Sequence, residues 1–365
     1  MRSNFDLINQ GVRELFGTRP AKNISSFSPV IISQREDAKE VKIFVYDYNP
    51  SFFEKHQLQN IQECKRFKGN DHISWINIDG LRKADVEAIC EHYGIHSLIA
   101  EDILSINQRP KIDEGDGFIF CLLNMLYFNE ENCKVDLEQI SIVLGKDYVL
   151  SFQEDAERDV FNPVREKLKM NNSKLRQRAP DYLCYSMLDL IVDNYFLVME
   201  KLGERIEILE EDVIRNSTSR SLAQINHIRK ELIILKKNIA PVRELISNFI
   251  RIENDLLDER TTKYFKDVYD HIVQAYEITE NYRDMMTSMQ DLYINNVNLR
   301  MNQVMKVMAI VTCLMAPATV IGGIFGMNFD RIPYLHNKYG FFIAVSLMLM
   351  IPLWMLREFK RKGWF

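Results

Sequence analysis

Asn302, Thr312, Thr319 and Asn328 place amide and hydroxyl oxygens along a stretch of chain that is otherwise largely apolar. Such groups offer oxygen without a full charge, which receives a hydrated cation without trapping it. At helical spacing the four follow a common, slightly drifting face, which Met305, Met308 and Ala316 share. Asn295, Asn296, Asn298 and Gln303 cluster ahead of the apolar stretch. Inside membranes the same residue types also serve as helix caps and interhelical bonds, so the residues alone leave both readings open.

The segment that must position these groups is Val307 to Phe325, 19 residues free of charge and long enough to cross a bilayer. Gly326-Met327-Asn328 follows where such a helix would emerge. A second apolar run, Gly340 to Leu356, precedes Arg357, Lys360, Arg361 and Lys362. The sequence thus predicts a transmembrane pair at 307–325 and 340–356, an external loop at 326–339 and a basic tail at 357–365. Lys306 and that tail assign both ends to the cytoplasmic side, by a small margin because the loop carries Arg331 and Lys338.

Two spans cannot enclose a wet path, so the chain either anchors something or shares a path with other copies. From about Thr262 no Pro or Gly interrupts the chain until Pro317. One helix to Phe325 would be about 95 Å long and would need neighbours. Val268, Ile272, Ala275, Tyr282, Met289 and Asn296 lie near a seven-residue repeat, with Ile278, Met285 and Leu292 between. That pattern suits parallel helices of several copies around an axis as well as a core stripe within one chain; self-association is expected, because the same helix must enter the membrane, where two spans per chain cannot enclose a polar path.

Upstream, residues 1–180 alternate strand-like and helix-like patterns and are expected to form a cytoplasmic α/β domain. Strands are expected at 41–46, 73–78, 118–128 and 140–144, a helix at 81–92 ended by Gly94, and an edge or hairpin strand at 149–152. Residues 181–260 form a helical region, with a second helix at 222–249 bent by Pro241, and 261–306 a stalk helix. A net charge of −5 gives no support to nucleic-acid binding. The six cysteines never form a C-x-x-C pair and the first 24 residues hold no apolar signal-like run, which argues for a reducing cytosolic setting.

Other constellations are weaker. His92 and His96 are four apart, but Gly94 lies between them, so capping or surface roles fit better than a metal. Gly322, Gly323 and Gly326 lack the Lys-Ser/Thr of a phosphate-binding loop, and Gly115-Asp116-Gly117 reads as a turn. Glu204, Glu207, Glu210, Glu211 and Asp212 read as a solvated helix face. No nucleophile with an identifiable base is evident, so the chain is expected to be no enzyme, to use no nucleotide and to draw on the ion gradient and membrane potential.

Phe325-Gly326-Met327-Asn328-Phe329, at the end of the first of two C-terminal spans, resembles the Tyr-Gly-Met-Asn-Phe signature of the CorA family of magnesium and cobalt transport proteins. The resemblance extends through Asn302 to Val307, Tyr264 to His271, Asn162 to Glu166, Glu101-Asp102-Ile103 and Gln108-Arg109-Pro110. It implies a funnel-shaped homopentamer in the inner or plasma membrane among its lipids, with both termini cytoplasmic. It implies Mg2+ influx down its gradient, with Asn328 binding hydrated Mg2+ in a ring at the outer mouth, Gly326 allowing the turn, and Met327 packing it. Mg2+ dehydrates reluctantly, which suits outer-shell amide contacts. Asn302, Met308, Thr319 and Asn328 match pore-lining positions. Cytosolic Mg2+ held between subunits by Asp102 and Asp267, with Glu101 adjacent, is implied to close the path.

Two departures stand out. Ala316 precedes Pro317 where the family often has a bulky Met, which puts more of an apolar gate on Met308. The external loop carries Asp330 as its only carboxylate, beside Arg331. The alternatives are a related transporter preferring Co2+, Ni2+ or Zn2+, and a membrane-anchored scaffold without transport.

Overall fold

The computed structural model describes residues 37–69, 71–106, 108–155, 158–327, 333 and 337–364. Seven strands form one sheet: β1 (Lys42–Tyr48), β2 (Phe53–Leu58), β3 (Ile73–Asp79), β4 (Lys111–Gly115), β5 (Phe118–Asn129), β6 (Lys134–Gly145) and β7 (Tyr148–Gln153). Their order is β2-β1-β3-β7-β6-β5-β4. Local chemistry makes the hairpins. Asn49 Oδ1 accepts from the backbone N–H groups of Ser51 at 2.9 Å and Phe52 at 2.7 Å, closing the β1–β2 turn. Gly117 at φ 80° closes β4–β5 as the Gly-Asp-Gly turn requires.

Of the two expectations for 149–152 the hairpin holds, since β7 follows β6 through Gly145-Lys146-Asp147 and pairs it antiparallel, and the edge position is corrected. β7 lies between β3, which it pairs in parallel, and β6, which it pairs antiparallel, and it is buried throughout. A strand covered on both faces is apolar without alternation, so a short run carries no signal of its place in a sheet.

One face of the sheet packs on a 3₁₀ turn (Ile61–Phe67), α1 (Lys83–Tyr93) and α2 (Ser97–Leu104), burying Ile76, Ile78, Val86, Ile89, Ile103 and Leu150. α1 stops at Gly94, whose φ of 75° lets its N–H reach the carbonyls of Cys90 and Glu91. His96 caps α2 by accepting from Leu98 N–H at 3.2 Å. The other face holds a polar relay under α3 (Asn162–Lys169). Trp75 Nε1 donates to Ser151 Oγ at 2.8 Å, Ser151 Oγ to Asn77 Oδ1 at 2.7 Å, and Asn77 Nδ2 to Asp79 Oδ1 at 2.8 Å.

Four long helices follow: α4 (Pro180–Arg215), α5 (Ser219–Arg251), α6 (Glu259–Phe325, 67 residues) and α7 (Gly340–Arg361). α5 continues through Pro241, and α7 runs beyond the apolar residues into the basic tail. The chain divides into two compact units. Of the described residues, the first comprises those from 37 to Met125 with Leu137–Ile191 and Glu244–Asp267; its helical part is tied by Phe249 stacked on Phe265 at 4.7 Å. The second comprises Leu126–Asp136, Val192–Arg243 and Val268–Phe365.

Within the second unit four positions of the seven-residue stripe of α6 are intrachain core, which corrects their assignment to contacts between copies, while Met285 is 38% exposed. Val268, Ile272, Ala275 and Met289 are buried. Asn296 spends its amide on Val213 O and Ser217 Oγ, at 3.2 and 3.0 Å. The same periodicity serves a partner helix of the same chain or of another copy, so spacing does not distinguish them.

α4, α6 and α7 are each long and apolar enough to cross a membrane. They differ in cover: 56% of the apolar window of α4 is buried within the protein, against 6% in α6 and 11% in α7. Apolar surface left this bare in water would be unfavourable, so α6 and α7 are the helices suited to lipid or to other copies. The cysteines among the described residues are all free thiols.

Candidate ion path and acidic groove

The apolar end of α6 has two unlike faces. Ile310 is 3% exposed, and Leu314, Pro317, Ala318 and Ile321 are half-buried in the same stripe. α7 runs antiparallel along this part of α6: Met348 Cε lies 3.6 Å from where a Cβ on Gly322 would stand, and Lys306 Nζ donates to Gly363 O at 3.3 Å. At about 100° per residue, Met308, Thr319, Thr312, Ala316 and Asn302 fall within an arc of about 120° almost opposite that stripe. All five are exposed, Met308 at 63%. The pore candidates therefore share one uncovered face, turned away from α7.

The hydroxyls on that face have a defined polarity. Thr312 Oγ1 donates to Met308 O at 2.9 Å and Thr319 Oγ1 to Met315 O at 3.0 Å. Each hydrogen is used on the helix's own backbone, so the oxygen lone pairs are what remains for a visitor. An oxygen that only accepts suits the outward-pointing hydrogens of water around a cation.

Gly326 closes the helix by donating to Gly322 O at 2.9 Å. Its φ is not positive; a Cβ would stand 3.0 Å from that same carbonyl, so a side chain there needs the turn to give by a few tenths of an ångström. Close approach, in place of backbone freedom, is what favours glycine at this position. Met327 is exposed within the chain. Asn328 and Asp330 lie outside the described residues.

The acidic candidates sit on separate elements. Asp102 is on α2, and Gln139 Nε2 donates to the carbonyls of Asp102 and Ile103 at 3.1 and 3.2 Å, fixing that helix end to β6. Its carboxylate is 17% exposed and pairs with Lys111 at 2.6 Å. Glu101 beside it is exposed and lines a groove of about 520 Å³ with Asp102, Asp113 and Glu114. Asp267, on α6, is exposed and has no ion-pair partner among the described residues. The chain does not join Asp102 to Asp267. A carboxylate set of this kind suits a hard divalent cation that keeps its waters.

Lys111 was not singled out by sequence, since one lysine on a short strand carries no pattern. The same holds for His271, whose Nδ1 lies 3.8 Å from Asp193 Oδ1.

A mixed α/β portion followed by long C-terminal helices, some of membrane-spanning character, with an uncovered face of hydroxyls and small side chains, defines a membrane transport protein. Residues 70–361 match the family model described as CorA-like Mg2+ transporter protein, and the chain belongs to that family. It is 35% identical over 327 residues to the cobalt/magnesium transport protein CorA of Thermotoga maritima, covering 89% of this chain and 93% of the relative. It is 32% identical to the putative metal ion transporter YfjQ of Bacillus subtilis, covering 85% and 96%. The complete structure of the CorA magnesium transporter from Methanocaldococcus jannaschii has the same fold, with a TM-score of 0.74 at 23% identity over 88% of this chain and 98% of that one. CorA-type Mg2+ transport in a membrane is accordingly its function, and the class is one of transporters, not enzymes.

Proposed function

We propose that the chain is one subunit of a homopentameric channel that passes Mg2+ inward down its electrochemical gradient and closes when cytosolic Mg2+ occupies Asp102 and Asp267 of neighbouring subunits. The observation that carries this reading is the uncovered face of α6. Five copies of it around an axis would bring Asn302, Met308, Thr312, Ala316 and Thr319 to a shared lumen, with rings of acceptor oxygen separated by an apolar section. Asn328, with Gly326 and Met327, is assigned to the outer mouth, Asp330 to the loop beside it, and two spans, 307–325 and 340–356, to each subunit. Both termini are assigned to the cytoplasm.

Regulation follows from charge. Two carboxylates on different subunits repel, so a divalent cation joining them favours the closed arrangement and its loss releases it. Asp102 and Asp267 supply carboxylate oxygen, and among the described residues Asp267 has no ion-pair partner to give up.

A second reading has one support: the Thermotoga maritima relative is named for cobalt as well as magnesium. Flux of Mg2+, Co2+, Ni2+ and Zn2+ into liposomes, for the unaltered protein and for Asn328→Ala, separates the two. A protein that passes Co2+ but excludes Mg2+ would overturn the Mg2+ assignment. Family membership leaves the scaffold alternative without support. Mass measurement in detergent tests the assembly, and single chains alone would refute it.

A further inference from the structure

The groove beside α2 carries four carboxylates, Glu101, Asp102, Asp113 and Glu114, together with Lys111. Lys111 Nζ sits between two of them, 2.6 Å from Asp102 Oδ2 and 3.0 Å from Asp113 Oδ2. The arrangement follows from the fold. Lys111 and Asp113 are two apart on β4 and so project from the same face of that edge strand. The backbone of Asp102 is held opposite them by the Gln139 bonds to the carbonyls of Asp102 and Ile103 at its end of α2.

We infer that Lys111 is a built-in competitor for the cation site at Asp102: its ammonium neutralises the carboxylate until a divalent cation displaces it, and so sets the Mg2+ concentration at which the site fills. This rests on the reading of Asp102 as a regulatory ligand. The Lys111 side chain is 35% exposed, and lysine is a compact charge on a flexible stem, so it can leave for water without breaking backbone contacts. A cation reaching Asp102 must therefore offset the loss of an existing ion pair. Asp267, which has no ion-pair partner among the described residues, presents no such barrier.

The test is an Mg2+ titration of the thermal midpoint of the full-length protein in detergent, which rises as Mg2+ binds the folded form. Lys111→Met and Lys111→Gln are expected to reach half the rise at about two- to fivefold lower Mg2+. Lys111→Arg, which keeps the charge in a fork that matches a carboxylate, is expected to need as much Mg2+ as the unaltered protein or more. An unchanged or higher midpoint concentration in both neutral variants overturns the inference. If only one of them folds, the folded one decides against Lys111→Arg. Asp102→Asn and Asp267→Asn separate this from the reading beneath it: if neither alters the Mg2+ response, the site assignment fails and the inference falls with it. If they abolish the response while the lysine variants leave it unmoved, the inference alone fails.

Discussion

Thr312 Oγ1 donates its hydrogen to the Met308 carbonyl at 2.9 Å, one turn back on the same uncovered face of α6. This bond fixes the hydroxyl as an acceptor toward whatever lies beside the helix, and Thr319 repeats the arrangement on Met315. Replacing both threonines by Val keeps the shape and removes the oxygens. Mg2+ flux in liposomes is expected to fall about tenfold or more with subunit mass unchanged, on the order of one good hydrogen bond per ring. Thr→Ser at both positions should retain flux, and equal flux in the Val variant would remove the hydroxyls from the path.

Met308 is the bulky apolar side chain of the arc nearest the threonines, with Met305 one turn before it and Ala316 offering little bulk two turns further on. Met308→Ala should therefore widen the apolar section and sustain Mg2+ flux at internal Mg2+ levels that shut the unaltered protein. Flux that still shuts off fully would place the gate elsewhere.

Asp79 ends the buried relay beneath α3, and burial, with the charge of Asp159 adding to it, raises its carboxyl to about 6 despite the Asn77 hydrogen bond and the Arg165 guanidinium. The acid is thus held more protonated in the folded chain than in the unfolded one. Its favourable contribution is complete below about pH 4 and is lost as pH rises toward 6. Above that, keeping the buried carboxylate costs about 3 kcal/mol. Asp79→Asn is expected to raise the thermal midpoint at pH 8 and to raise it much less at pH 4.5, where about a third of the cost is present; a uniform shift at both would show the charge to be irrelevant.

Phe265 is fully buried and stacks on Phe249 at 4.7 Å, at the foot of α6. Phe265→Ala should destabilise the folded chain by about 3–5 kcal/mol, seen as a lower thermal midpoint, with Phe265→Leu intermediate. A midpoint unchanged by Phe265→Ala would mean the foot of α6 is not part of the cooperative fold.

Gly326→Ala forces a methyl to 3.0 Å from the Gly322 carbonyl, tighter than ordinary contact. The final turn of α6 must then shift, and loss of Mg2+ flux with retained assembly is the expected result. Gly326→Ala at full flux would show that the turn tolerates the shift.

What the sequence determined by itself was whatever is written in local order. The apolar length of 307–325 and 340–356, the uninterrupted helix into Phe325, the Gly94 stop and the Gly115-Gly117 turn all depend on neighbours in the chain, and the Gly-Met-Asn run supplied the family resemblance. The tertiary structure decided matters of partnership. It placed β7 inside the sheet, turned Val268, Ile272, Ala275 and Met289 into intrachain core, and left the Thr312 and Thr319 face bare because α7 covers the opposite side. It also set Lys111 on Asp102, nine residues away in sequence and 2.6 Å apart in space. Periodicity tells which side chains share a face, since that is fixed by the backbone repeat; it does not tell what covers the face, since that depends on contacts between segments far apart in the chain.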